Sequence, residues 1–101
     1  MESKKVTGTQ LDDIIHGEPA PWRVGSTTDV DRRSQEYLRN YPRETKGSTM
    51  YYAPTKNMKT QETRDLQNCK QEGGCAKNVH EKSNAPAVDG NRYAIVKDKG
   101  K

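Results

Sequence analysis

The sequence predicts a mostly irregular, extended chain with two or three short α-helices, a C-terminal β-hairpin and no conventional hydrophobic core. Two observations lead to this fold class. Leu, Ile and Val number only twelve among 101 residues, and Phe is absent, whereas chains with less than about 20% of these four residues tend to be disordered. Charged residues make up 32% of the chain, and the mean hydropathy is −1.24.

The shortage of aliphatic side chains sets an energetic limit on folding. Fully burying one such side chain stabilises a fold by roughly 1.5–3 kcal/mol. Ordering a chain of this length costs on the order of 100–200 kcal/mol in conformational entropy. The sequence therefore predicts one small chain, residues 1–101, that is intrinsically disordered when free and ordered by its partners.

Residues 1–17 form a flexible start and a short helix in this interpretation. Leu11, Ile14 and Ile15 share one helical face, and Gly17 is a suitable stop. Because few other apolar residues exist to cover it, this face is a candidate for docking into the groove of a partner. The alternative is a helix that packs on its own chain.

Residues 18–57 form an aromatic and arginine-rich segment. The single Trp, four of the five Tyr and five of the seven Arg lie within residues 22–54. The main helix is expected at about residues 28–40, because an apolar stripe with helical spacing continues up to Pro42. The remainder of the segment is expected to be extended. Aromatic and arginine side chains anchor many protein contacts. The candidate partner-binding residues here are Trp22, Arg23, Tyr37, Tyr41, Tyr51 and Tyr52.

The C-terminal part has weaker patterns. Residues 58–75 predict a helix in which Met58, Leu66 and Cys69 lie near one face, with Glu62 interrupting the stripe. Residues 76–101 predict a polar linker and then a turn at Asp89-Gly90 before a strand-like run. That run predicts a hairpin, or a strand added to a partner sheet. The alternative is a frayed tail.

Three soft ligands are grouped in the sequence. Cys69, Cys75 and His80 follow the spacing C-x5-C-x4-H, whereas zinc sites usually bring ligands in tight pairs such as C-x2-C. The first gap is too long and a fourth ligand is missing. These residues are therefore weak metal candidates, and no metal or cofactor is expected. The cysteines are predicted to be free thiols; the alternative is a Cys69–Cys75 disulfide across the Gly73-Gly74 turn, which needs an oxidising compartment.

No motif for catalysis is present: the chain lacks a Walker loop, a GxGxxG sequence and an HExxH sequence. The sequence therefore predicts a non-enzymatic structural or accessory subunit. It would bind along a large macromolecular assembly, such as a filament, a capsid, a ribosome or a multi-subunit complex, as an extended staple. Its partners would be other protein subunits, and nothing indicates a homo-oligomer. Without a secretory signal or a membrane-spanning run, an intracellular and cytoplasmic location is expected.

Two alternative functions remain open at this stage. A regulatory protein would dock through Leu11, Ile14 and Ile15. A small basic nucleic-acid-binding protein would use arginines on phosphate and aromatic rings for stacking, consistent with a net charge of +4. The residues assigned to that second role are Arg32, Arg33, Arg39, Arg43, Trp22, Tyr51 and Tyr52.

Overall fold

The strands of the chain form one mixed four-stranded sheet. The computed structural model describes residues 1–76 and 85–98. The sheet order is β1-β3-β4-β2, with β1 parallel to β3, and β4 antiparallel to both β3 and β2. The most C-terminal strand therefore lies inside the sheet, between two strands formed earlier in the chain. The strands are β1 Glu2–Lys5, β2 Arg23–Thr27, β3 Ser48–Thr55 and β4 Gly90–Lys97.

Helices cover both faces of the sheet. Three of them begin at a side chain that caps free backbone N–H groups: Thr7 before α1, Asp29 before α2 and Asn57 before α4. The N-terminal cap of α1 is a reciprocal capping box between Thr7 and Gln10. The helices are α1 Gly8–Ile15, α2 Val30–Asn40, α3 Pro42–Thr45 and α4 Met58–Gln71.

The alternation of side chains along β4 divides the core into two layers. Tyr93 and Ile95 face α2, while Ala94 faces α1 and α4. The layer under α1 and α4 is formed by Leu11, Ile15, Val24, Ala53, Leu66, Cys69, Cys75 and Ala94. The layer under α2 is formed by Tyr37, Met50, Tyr93 and Ile95.

This core shows that the predicted fold class is wrong, and so is the prediction of intrinsic disorder in the free chain. The described residues form a folded globule with a radius of gyration of 12.2 Å. Eight of its thirteen buried apolar residues are Ala, Met, Tyr or Cys, so a count of Leu, Ile, Val and Phe missed most of the core. Small hydroxyl side chains fill more of the interior. They are Ser26, Thr27, Ser34, Thr45, Ser48 and Thr49.

A buried ion pair joins the sheet to the helices on one face. Arg92 of β4 donates to both carboxylate oxygens of Asp65 in α4, at 3.0 and 2.8 Å, and also contacts Asp12 of α1. Burial raises the pKa of Asp65, and hydrogen bonds from Arg92 and Gln61 only partly oppose this. Because Asp65 is fully buried, removing Arg92 would leave its carboxylate without a cationic partner in the interior.

The C-terminal strand is not the hairpin that the sequence predicts. β4 pairs along its length with β3 and along five residues with β2. No local pattern predicts β2, which lies in the part of residues 18–57 that was expected to be extended. Gly25 of this strand faces the ring of Tyr93, and a Cβ at this position would overlap the Tyr93 hydroxyl. Gly25 therefore allows β2 to approach β4 over the tyrosine ring.

Cys69 and Cys75 form a disulfide with Cα atoms 5.8 Å apart, so the prediction of free thiols is wrong. Both residues are buried, and the Cys75 N–H donates to the carbonyl of Pro21 at 3.0 Å. Gly73 has a φ of 82°, a conformation that favours glycine and lets the chain turn back after α4. The disulfide therefore fixes the end of α4 beside the segment that leads into β2.

Candidate functional site

A cavity of about 440 Å³ lies at the C-terminal end of edge strand β2. The N-terminal half of α2 lines one side and the first turns of α4, with Met58 and Glu62, line another. Thr28 and Asp29, which follow the strand, and Ala85 and Pro86 complete the lining. The polar side chains that line the cavity are Ser26, Thr27, Thr28, Asp29, Arg32, Arg33, Glu36 and Glu62.

The arginines of this cavity are positioned by the turn that starts α2. Asp29 Oδ1 accepts the backbone N–H of Arg32 at 3.1 Å, which places Arg32 and Arg33 in the first turn. Glu36, one turn later, lies 3.3 Å from Arg32 Nε and 3.5 Å from Arg33 Nε. One carboxylate thus holds two guanidinium groups side by side.

On the opposite wall, Glu62 is held by the strand. Ser26 Oγ donates to Glu62 Oε1 at 2.6 Å, and this hydrogen bond links β2 to α4. Ser26 is buried and Glu62 is half-buried. Among residues 1–76 and 85–98 no partner is seen for the other oxygen of Glu62, and a carboxylate has about four acceptor positions, so Glu62 can accept a further ligand.

Behind Arg33 lies a buried pair of tyrosines. The hydroxyls of Tyr37 and Tyr93 are 2.7 Å apart. Burial, together with Tyr37, holds the pKa of Tyr93 well above its usual value of 10.0. Burial lowers the pKa of Arg33, but Tyr93, Tyr37 and Glu36 outweigh that effect, so the net pKa is raised. Arg33 is therefore a permanent cation, and Tyr93 is a neutral hydrogen-bonding group at neutral pH.

The net charge of the side chains that line the cavity does not favour the binding of an anion on its own. Two guanidinium groups face three carboxylates, those of Asp29, Glu36 and Glu62. A divalent cation would reverse this excess of negative charge. The described residues contain no group of three His, Cys, Asp or Glu that could hold a metal by itself. A cation here would need oxygens from the ligand and water, as Mg²⁺ commonly does.

The predicted docking residues of the first helix lie mostly inside the chain. Leu11 and Ile15 are 0% and 1% exposed and belong to the core, as in the alternative in which this helix packs on its own chain. Ile14 is half-buried against the same cluster. These three residues do not line the cavity.

The predicted aromatic anchors also pack against one another. Trp22 lies 6.2 Å from the ring of Tyr37 and 6.1 Å from that of Tyr41, and its Nε1 donates to Ser48 Oγ at 3.1 Å. Tyr51 and Tyr52 lie on β3, half-buried on opposite faces of the sheet. None of these aromatic residues lines the cavity, although Tyr37 supports Arg33 from behind.

The weak metal candidates are not brought together as ligands. The sulfurs of Cys69 and Cys75 are joined in a disulfide, and His80 lies outside the described residues. Of the residues assigned to phosphate binding, Arg32 and Arg33 line the cavity. Arg39 and Arg43 are exposed elsewhere on α2 and α3.

Sequence reasoning missed Glu62 and Ser26 as site residues. Glu62 was visible as the acidic residue that interrupts the apolar stripe of α4, and a carboxylate on the inner face of a helix is a signal for a functional group. Ser26 gave no signal, because it is a small polar residue in a strand without alternating apolar side chains. Their contact depends on the pairing of β2 with β4, which no local pattern predicted.

Comparisons with known proteins add no identification. No protein-family model matches this chain, and no similar curated protein or solved structure is found. Within residues 1–76 and 85–98, no helix is long and apolar enough to cross a membrane.

Proposed function

We propose that this protein binds a phosphodiester of a nucleic acid in the β2–α2–α4 cavity and hydrolyses it with the help of a divalent cation. The observation that carries the proposal is the meeting of Arg32 and Arg33 with Glu62 in one cavity. Arginine pairs bind phosphate oxygens through several N–H groups. A carboxylate on the facing wall supplies an anchor for a hard cation.

The balance of charge explains why a cation belongs to the proposal. Without a cation the carboxylates outnumber the arginines in the cavity, and a phosphate would meet net repulsion. With a cation on the free oxygen of Glu62, the phosphodiester would contact positive charge from both walls. The excess of four basic residues in the chain favours polyanionic ligands more weakly, by long-range attraction.

The proposed reaction is hydrolysis of one ester bond. A water oxygen forms a bond to phosphorus, the bond from phosphorus to one ester oxygen breaks, and a proton passes from the water to that oxygen. The cation would lower the pKa of the attacking water and neutralise charge on the phosphoryl oxygens. Arg33, supported by Tyr37 and Glu36, would stabilise the charge that builds up in the transition state.

The test is cleavage of end-labelled DNA and RNA oligonucleotides, each with single- and double-stranded parts, in Mg²⁺ or in EDTA. We expect cleavage only with the cation. Glu62→Gln keeps an acceptor for Ser26 but loses the charge, and cleavage should fall by at least about 100-fold. Arg33→Gln should cause a loss of similar size, about 100-fold.

Two exposed residues provide matched controls. Glu18→Gln and Arg64→Gln each remove one exposed charge outside the cavity and should cleave like the wild type. Cleavage that survives in Glu62→Gln, or that falls equally in Glu18→Gln, would refute the role of this cavity. Oligonucleotides left intact by the wild type in Mg²⁺ would refute the hydrolytic proposal.

The role of a non-enzymatic accessory subunit of a large assembly stays a prediction, and the hydrolytic proposal departs from it. Its premise of a chain without a core is overturned by the two buried layers. No contact among the described residues favours it over the cavity, so we do not develop it as a second candidate.

A further inference from the structure

Next to the β2–α2–α4 cavity, called the main cavity from here on, lies a smaller one of about 140 Å³ on the α2 side of the sheet. Arg33 and Glu36 line both cavities, so the two are neighbours along α2. Arg23 of β2 lines only the smaller one. The side chains that line it are Arg23, Arg33, Glu36, Tyr37, Asn40 and Tyr41.

Arg23 differs from Arg32 and Arg33 in the side chains with which it interacts. Its guanidinium carbon lies 5.7 Å from the centre of the Tyr37 ring and 5.5 Å from that of Tyr41. Within the part of the chain that the structure describes, no carboxylate forms a salt bridge with Arg23. Glu36, the carboxylate of this cavity, is bound to Arg32 and Arg33. Arg23 is thus a half-buried cation, held by ring faces and by a hydrogen bond to Tyr37. Because a guanidinium has five N–H donors, Arg23 keeps further donors for an anion.

The charge of this smaller cavity has the opposite sign to that of the main one. Two guanidinium groups outnumber the single carboxylate of Glu36, so an anion can bind here without a metal. The amide of Asn40 and the hydroxyl of Tyr41 add neutral hydrogen-bonding groups to the wall. A volume of about 140 Å³ has room for a phosphate but not for a nucleotide.

We infer that the smaller cavity binds a second phosphate of the same strand, next to the phosphodiester held in the main cavity. This inference rests on the proposed function and narrows its substrate to a chain with at least two successive phosphodiesters. Arg33 would lie between the two phosphates, and Arg23 would hold the second one. Arg23 is then a positioning residue, because it contacts the strand away from the bond that breaks.

The experiment compares binding of two thymidine oligonucleotides, TpT with one phosphodiester and TpTpT with two, by NMR titration of the whole protein. Ca²⁺ replaces Mg²⁺, and chromatography verifies that the oligonucleotides stay intact. The wild type should bind TpTpT about tenfold more tightly than TpT, the size expected of one charge-assisted contact. Arg23→Gln should remove this difference while leaving TpT binding within about twofold.

Two further variants make the result specific. Arg23→Lys retains the charge but loses the fork geometry, so it should bind TpTpT with intermediate affinity. Arg39→Gln removes an exposed charge from α2 outside both cavities and should leave the tenfold preference intact. If the melting temperature of Arg23→Gln equals that of the wild type, the variant has retained its fold.

Three results would overturn the inference. Equal wild-type affinity for the two oligonucleotides would show that no second phosphate is bound. A parallel loss of TpT and TpTpT binding in Arg23→Gln would show that Arg23 only supports the main cavity. Failure of the wild type to bind either oligonucleotide would refute the proposed function itself, and the second phosphate position with it.

Discussion

At the residue scale, the hydroxyl of Tyr93 has an environment that can be tested by titration. It is buried between β4 and α2, and the only hydroxyl that the structure shows within hydrogen-bonding distance among the described residues is that of Tyr37. A phenolate at this position would lose its hydration in an apolar layer. For this reason the folded chain holds the Tyr93 proton more tightly than the unfolded chain does.

The sign of the resulting pH effect follows directly. Below pH 10 this tyrosine is protonated in both states, and its contribution to stability does not vary with pH. Above the unfolded pKa, the unfolded chain releases the proton and the folded chain keeps it. The free energy of unfolding should therefore fall as pH rises, by up to about 1.4 kcal/mol per pH unit, until the folded pKa is reached.

Urea unfolding of the wild type and of Tyr93→Phe between pH 9 and 11 measures this effect. Phe keeps the ring and lacks the titrating group, so the variant should lose less stability over this range than the wild type does. It also loses the hydrogen bond to Tyr37, which lowers stability at every pH by about 1 kcal/mol. Identical slopes for the two proteins would show that Tyr93 is not protected by the fold.

At the element scale, helix α4 contributes side chains both to the core and to the cavity. Its inner face carries Asp65, Leu66 and Cys69 into the core, and Glu62 into the cavity. Its last turn is fixed by the disulfide to Cys75. Under the proposed function, the two ends of this helix have separable roles, ligand binding near the start and attachment near the end.

The disulfide should stabilise the fold by about 2 kcal/mol, because it closes a short loop of the unfolded chain. The separation of the two cysteines in sequence is 6 residues. Urea unfolding with and without dithiothreitol measures this contribution. The double variant Cys69→Ala, Cys75→Ala serves as the control, since its unfolding should not respond to the reductant. A wild type whose stability is equal in both conditions would contradict the expected contribution.

The elements differ in how far the sequence predicted them. The stripe that ends at Pro42 predicted a helix over residues 28–40, and the structure has α2 at Val30–Asn40. Strand β2 was missed because its sequence RVGST has small and polar side chains and no alternation of apolar residues. Strand β1 was missed for a similar reason, since its sequence ESKK is polar.

At the scale of the whole molecule, the pairing of strands that are distant in sequence could not be predicted from local sequence patterns. β1 pairs with β3 in a register that joins Glu2 to Thr49, and β4 lies between two strands formed much earlier in the chain. Patterns of period two or 3.6 report which face of an element is apolar. They do not report which elements pair, so the sheet and the cavity beside it could not be predicted from them.

The amino-acid composition led to the wrong prediction of a chain without a core, for a related physical reason. The interior is built from Ala, Met, Tyr, Cys, Ser and Thr as well as from aliphatic residues. Small side chains bury little apolar area each but allow close packing of backbone. The chain also closes the disulfide and buries the Arg92–Asp65 pair. A low count of Leu, Ile, Val and Phe therefore does not by itself indicate a disordered chain.

The phosphodiester site in the β2–α2–α4 cavity is tested most directly by ¹H–¹⁵N NMR of the isolated protein. A single-stranded oligonucleotide is added in the presence of Ca²⁺, and the residues whose signals shift map its contacts. A dispersed spectrum would also show that the chain folds alone. We predict that the largest shifts fall in residues 26–36 and 58–62, which carry the two walls of the cavity. Shifts confined to other surfaces, or no shift at millimolar oligonucleotide, would contradict the phosphodiester site.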